Sequence, residues 1–463
     1  MRKYWVKNLF IVILGLALVY QTGMLWFDRN IGQTILYNLR NAVTLGSSPV
    51  SVEESLFLPQ AVIAGYGDKS YRVIRSEGDF GSISQIMDEA VEKLVSKGDF
   101  EEASEADWNK ILESKCIIYK FPAGIYSSEY FERFGKRKAS GFSNKIESFD
   151  YIVISAPSSG SSHTDFYFID SLTSFCARYV VDDNAYTAYF YDKSEEFRND
   201  VYNTMPYISS VENGFRLFRG NAFIPQWEGN GYYYNILYPE DPFVSEGQFS
   251  SRLLDDYTSS LFGGFSAKRL TGDPATGTYV FSDDNIVLKY YRTGLMEYFN
   301  YGTDSAGDQT VATALFKAKE FLNRDTSLKT GYFLTDIKVK SEGLVFYFDY
   351  ENKGFPIELS EEMKSEMDLE AAIEVTVKNN DVKKYRRYMR NFMGSYEFSL
   401  INTDFTYAMD NAVNRHMSEG LSLEPEELYL AYSADGSDMV FMSWYAKISG
   451  IKYKCEAFSP EGQ

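Results

Sequence analysis

The chain has 463 residues, with 65 acidic against 46 basic side chains and a formal net charge of −19. A surface of that sign repels phosphate backbones, which excludes nucleic acid as a partner. Two histidines exclude a multi-histidine metal centre, and three widely spaced cysteines exclude a dense disulfide framework and a tetrathiolate site.

The first element is set by charge. From Leu9 to Phe27 no residue is ionisable at neutral pH. At about 1.5 Å per residue a helix of this length spans roughly 28 Å, the depth of a bilayer's hydrocarbon core. Arg2, Lys3 and Lys7 precede it, while Asp28 and Arg29 cancel behind it, so residues 1–8 are expected in the cytoplasm and the rest outside. Tyr4, Trp5, Trp26 and Phe27 bracket the run as interfacial aromatics do. A cleaved signal peptide needs small residues before its cut, and here bulky Leu25, Trp26 and Phe27 follow Thr22 and Gly23. A buried core helix would show a polar face, which the run lacks. The expectation is a single-pass, uncleaved anchor at 9–27 in the cell membrane.

After a linker and a short helix ("QTILYNLRNAV"), "SISQIMDEAVEKLVSKG" places Ile83, Ile86, Met87, Ala90, Val91, Leu94 and Val95 at helical spacing, with Gly98 as a stop. "SEADWNKILES" predicts a second helix, with Ser104 and Asp107 in a variant capping box. "KCIIYKFP" reads as a strand, "SSEYFERFG" as a helix, and "FDYIVISA", "DFYFID" and "TSFCARYVVD" as strands. Cys116, Cys176 and Cys455 each sit in such an apolar run and read as buried thiols. Abundant tyrosine and phenylalanine, 37 and 35 residues, favour strands throughout.

In the second half a helix followed by antiparallel strands recurs three times. The helices are Ser245 to Gly264, Asp308 to Arg324 and Phe405 to Gly420. Asp283-Asp284-Asn285, Asn379-Asn380-Asp381 and Ala434-Asp435-Gly436-Ser437 supply turns between strands. A helix laid on an antiparallel sheet buries both apolar faces. The fold class is therefore α+β, with expected domains at 28–180, 181–305 and 306–463.

Chemistry is sparse. Ser158, Ser159, Ser161, Ser162, His163 and Asp165 cluster in "APSSGSSHTDF", but residues so close in sequence rarely adopt triad geometry, and a polar hairpin loop accounts for them better. His416 is expected to be solvated at a helix end, and the basic run Lys383 to Arg390 to be a solvated strand or edge. There is no phosphate loop, dinucleotide fingerprint, zinc-protease motif or calcium loop, so no cofactor or metal is expected.

"SEGLVFYFDYENKGFPIEL", followed by "AAIEVTVKNNDVKKYRRYMR", resembles the C-terminal portion of the YycH/YycI regulators. Pro356 fixes its own φ and leaves Gly354 free for positive φ, and Asn379-Asn380-Asp381 turns the last two strands. The resemblance implies a regulator without catalytic residues. It would sit beside the membrane-bound sensor histidine kinase of an essential two-component system that controls cell-wall homeostasis in Gram-positive bacteria. It would contact that kinase and a YycI-like sister regulator, partly through transmembrane helices. In that setting Gly15, Val19 and Gly23 fall at four-residue spacing, flanked by Thr22 and Trp26, and form the expected partner face of the anchor. Two other readings follow from the residues. One is an extracytoplasmic binding module for a peptide, lipid or wall fragment, which calls for an aromatic-lined groove. The other is a wall hydrolase using Ser162, His163 and Asp165.

Overall fold

The computed structural model describes residues 59–455, apart from 75–79, 133–140, 157–160, 197–204, 262–268, 274–276, 303–308 and several isolated positions. The expected anchor, with Gly15, Val19, Thr22, Gly23 and Trp26, lies outside the described residues. Among the described residues no helix is long and apolar enough to cross a membrane. The architecture is α+β, as the sequence pattern predicts, with two large sheets.

The first sheet contains β1 (Ala61–Tyr66), β2 (Tyr71–Ile74), β3 (Asp99–Glu105), β4 (Lys115–Tyr126), β5 (Ser148–Ala156), β6 (His163–Asp170), β7 (Phe175–Asp182), β8 (Tyr207–Ser209) and β9 (Phe223–Pro225). Their order is β3-β7-β6-β5-β4-β1-β2-β8-β9, all antiparallel. Helix α1 (Phe80–Lys97) turns Met87, Ala90, Val91 and Leu94 inward, the i, i+3, i+4, i+7 stripe of an amphipathic helix. Gly98 ends it, because a Cβ there would lie 2.5 Å from the Leu94 carbonyl oxygen. Helix α2 (Trp108–Leu112) is capped by Asp107 alone, which accepts from the Lys110 N–H, while Ser104 of the expected capping box belongs to β3. Two more helices, α3 (Ser127–Glu132) and α4 (Asn184–Glu196), complete the core. Tyr130, Phe131, Tyr186 and Phe190 pack there with Phe149, Phe166 and Phe168 of the sheet.

The second half begins with β10 (Tyr232–Glu240), a small hairpin of β11 (Val244–Ser245) and β12 (Gln248–Phe249), and α5 (Ser251–Leu261). Then come β13 (Arg269–Asp273), β14 (Thr278–Ser282), β15 (Ile286–Tyr291), β16 (Leu295–Asn300), α6 (Val311–Arg324), β17 (Gly331–Lys340), β18 (Gly343–Asn352) and β19 (Phe355–Leu359). The chain continues through α7 (Glu361–Met367), β20 (Ile373–Lys378), β21 (Asp381–Tyr388), β22 (Asn391–Ile401), α8 (Phe405–Ser418), β23 (Pro425–Ala434), β24 (Phe441–Ile448) and β25 (Ile451–Cys455). Asn379 and Asn380 both have positive φ, the requirement of the tight two-residue turn joining β20 to β21. Lys353 and Gly354, at φ 51° and 80°, do the same between β18 and β19.

Strand β18 is the pivot of this sheet. On one edge β17 accompanies it along its length. The other edge is shared: β20 pairs with Leu344 to Phe348, and β19 takes over from Tyr350 to Asn352. Two arms diverge from that point. One runs β20-β21-β16-β15-β14-β13, and the other runs β19-β23-β24-β25, with β19 and β23 parallel.

Strand pairing runs across residues 180 and 305: the first sheet continues to Pro225, and β16 pairs with β21. Two expectations are corrected. The basic run is no edge. Strand β21 lies between β16 and β20, with Arg386 and Arg387 buried, because carboxylates from elsewhere in the chain meet them. His416 is fully buried: its ring contacts the Tyr453 hydroxyl at 2.9 Å and the Ser422 carbonyl oxygen at 2.7 Å, so both nitrogens have partners without water. The three cysteines are buried and free, as expected.

Candidate interaction site

Strands β10 and β22 form a two-stranded ribbon apart from both large sheets. Its base is fixed by charge. The Arg390 guanidinium lies 2.7 Å from Asp241, just beyond β10, and the Tyr290 hydroxyl donates to the same carboxylate oxygen at 2.6 Å. One residue on, Asn391 accepts from the Lys329 N–H, and the Phe392 N–H donates to the Thr330 hydroxyl at 2.7 Å. Behind these contacts stands a buried polar cluster. Arg387 Nη1 reaches Asp325 at 2.7 Å and Ser327 Oγ at 2.9 Å, and its Nε donates to the Tyr350 hydroxyl at 2.8 Å. Burial works to raise the Asp325 carboxyl, but the Arg387 charge and hydrogen bonds from Ser327 and Tyr385 together hold it below the usual range. The base is thus fully hydrogen-bonded and rigid.

The ribbon's inner side is held by apolar contact. Tyr234 packs on Tyr432, and Leu237 exchanges both backbone hydrogen bonds with Val440. Its outer part is different: Tyr396 is 98% exposed, Tyr233 69%, Phe398 63% and Met393 47%. Phe441 and Met439, flanking Val440, are also exposed. A bulge opposite Ile236 presents Tyr396. It is pinned by Asn235 Nδ2 donating to the Ser395 carbonyl, by the Glu397 N–H donating to Ser395 Oγ, and by the Tyr238 hydroxyl donating to Glu397. Bulges re-aim side chains in this way. Isolated exposed apolar residues need no explanation, but aromatic and methionine side chains gathered on a rigid support have the composition of a protein–protein contact.

The sequence candidates fare unevenly. His163 Nε2 stands 3.8 Å from Asp165, but Asp165 is engaged by Arg178 Nη2 at 3.0 Å and Nε at 3.2 Å. Ser161, not Ser162, approaches His163, at 3.4 Å from Nδ1. The acid is committed to an arginine, and exposed Ser162 has no base within hydrogen-bond distance among the described residues. Ser158 and Ser159 lie outside the described residues. A hollow of about 470 Å³ opens between α7 and the sheet, lined by Lys340, Lys364, Lys384, Arg386, Glu370 and Glu374 among others. Its walls carry charge rather than the aromatic rings that the binding-module reading calls for. Much of that charge is internally paired: burial opposes ionisation of Glu370, yet hydrogen bonds from Lys338 and Lys340 bring its carboxyl down to about 2.

Sequence reasoning missed the ribbon. "NFMGSYEFSLI" carries the apolar spacing of a strand, and nothing local separates an exposed aromatic from a buried one.

Neither a protein-family model nor a curated protein matches the sequence. Among solved structures, the crystal structure of YycH from Bacillus subtilis is similar, with a TM-score of 0.50 at 15% identity. The match covers 88% of this chain and 97% of that one. The chain has a YycH-like fold. The sequence resemblance covers Gly343 to Arg390 by motif and most of the chain by layout, and the shared fold covers 88% of it.

Proposed function

We propose that the chain is a membrane-anchored extracytoplasmic regulator, not an enzyme, that modulates a two-component sensor histidine kinase controlling cell-wall homeostasis. The likeness to YycH carries this reading, because it spans 97% of that chain. Two surfaces serve the contact. Within the membrane, the face of Gly15, Val19, Thr22, Gly23 and Trp26 permits close helix approach. Outside, the ribbon offers Tyr233, Tyr396 and Phe398 as anchors for the kinase's extracytoplasmic region or for a YycI-like sister regulator. The uncharged run at 9–27 and the basic residues before it support the single-pass placement.

The test is a membrane pull-down of the full chain against a version whose residues 9–27 are replaced by an unrelated transmembrane helix. Retrieval of a sensor kinase by the native chain alone assigns recognition to the helix. Retrieval by both assigns it to the outer region, and the ribbon variant described in the Discussion should then abolish it. Retrieval by neither overturns the proposal.

A further inference from the structure

Asp349 occupies the fork of the second sheet. Phe348 is the last residue of β18 paired with β20, and Tyr350 is the first paired with β19. The register of β18 and β19, continued by one pair, places Asp349 opposite Glu358. Both side chains are buried, each residue 5% exposed. Directly opposed residues of an antiparallel pair have Cβ atoms about 5 Å apart, within reach of a carboxyl–carboxyl hydrogen bond.

The two acids are unequally served. Glu358 receives Lys452 Nζ on both oxygens at 2.8 Å and the Tyr429 hydroxyl at 2.7 Å. Asp349 accepts the Ala372 N–H at 3.0 Å, and among the described residues no cation lies within ion-pairing distance of it. Ala372 immediately precedes β20, so this side chain already touches one arm, and Glu358 belongs to the other.

We propose that Asp349 and Glu358 form a proton-operated clasp across the fork. Asp349 takes up one proton from solution. Its new O–H donates to the Glu358 carboxylate, while its other oxygen keeps the Ala372 N–H, so one side chain ties both arms. Release of the proton leaves two carboxylates facing each other across the ladder, and the arms separate there.

The surroundings favour this division of roles. At Asp349 burial, and then the Glu358 charge, raises the carboxyl against the opposing pull of the Lys452 and Lys364 charges and the Ala372 N–H; at Glu358 burial is outweighed by the same two lysine charges and two hydrogen bonds, which lower it. The other groups facing the pair are occupied. Lys364 of α7 pairs with Glu361 at 3.1 Å, Tyr445 of β24 stacks on Tyr429, and Glu427 of β23 pairs with Lys120 of the first sheet. Glu351, next along the same face of β18, accepts the Gly354 N–H, and β17 presents uncharged Phe333 opposite Asp349. A carboxyl raised on folding contributes stability at low pH that is lost as pH rises through its folded value, so the clasp closes on acidification.

The clasp stands independently of the kinase reading, because its test uses the full chain alone. Amide hydrogen exchange at Ile357 to Leu359 and Ile373 to Val375, corrected for intrinsic chemistry, is followed between about pH 5 and about pH 8. In the wild type, opening should rise with pH by up to about tenfold per unit, the linkage of one proton. Asp349→Asn, an isosteric mimic of the protonated acid, should stay protected throughout. Glu358→Gln should flatten the profile by removing the repulsion. A wild-type profile without pH dependence overturns the clasp even if neither variant folds, and an Asp349→Asn profile identical to the wild type overturns it as well.

Discussion

Arg387 on β21 and Asp325, the residue that ends α6, are 62 positions apart in sequence and meet at 2.7 Å with both side chains fully buried. The pair joins the helix to the middle of the sheet. Ser327, Tyr350 and Tyr385 occupy the remaining hydrogen-bonding directions, so the ions are satisfied without water.

Removing one partner leaves the other buried and unpaired. Arg387→Leu should therefore cost about 3–5 kcal/mol, read as a lower urea midpoint at unchanged slope. The lowered Asp325 carboxyl has a pH consequence. Its contribution is present above the unfolded-state value and is lost as pH falls through the folded one. Acid should thus unfold the wild type more readily than Asp325→Asn, measured relative to each protein's own stability at neutral pH.

The ribbon separates binding from folding. Tyr396→Ser with Phe398→Ser changes exposed side chains and should leave stability within about 0.5 kcal/mol. Partner capture should fall by about tenfold or more, as expected when aromatic anchors are truncated. Equal capture by the variant and the wild type would remove the ribbon from the interface.

His416 behaves as a core residue. His416→Ala removes one partner of the Tyr453 hydroxyl and one of the Ser422 carbonyl, which keeps the Ser449 hydroxyl at 2.6 Å, and should destabilise by about 1–3 kcal/mol in a denaturant titration. A solvated helix-end histidine would show almost no change.

The thiols should be silent in the folded protein. Burial pushes Cys116 and Cys176 up to about 12 and Cys455 up to about 11. The nucleophilic thiolate is therefore absent at pH 8. Alkylation should modify none of the three in the native state and all three in urea, counted by mass spectrometry.

Helix α1 was legible because its apolar stripe is local, and so were the Asn379-Asn380 turn and the strand of Cys116. Arg387 and His416 were not. A charged or polar residue in a sequence reads as solvated until its partner is known, and those partners lie 62 and 37 positions away. The same limit hid β21, whose place between β16 and β20 depends on pairing that no window of sequence contains. The ribbon failed for the opposite reason: its strands alternate as buried strands do, and exposure is decided by what the fold leaves uncovered.

The pairing of β10 with β22 has a kinetic consequence. Tyr232 meets Ile401 across 169 positions of chain, and Tyr233 meets Leu400. The first sheet, by contrast, is built entirely from strands within residues 61–225. Loop closure of such span delays assembly, and domains are generally completed in order of synthesis. The first sheet can therefore mature while the second is still being made. The aromatic ribbon forms only after its second strand has emerged, so a chain stalled before residue 391 cannot display it.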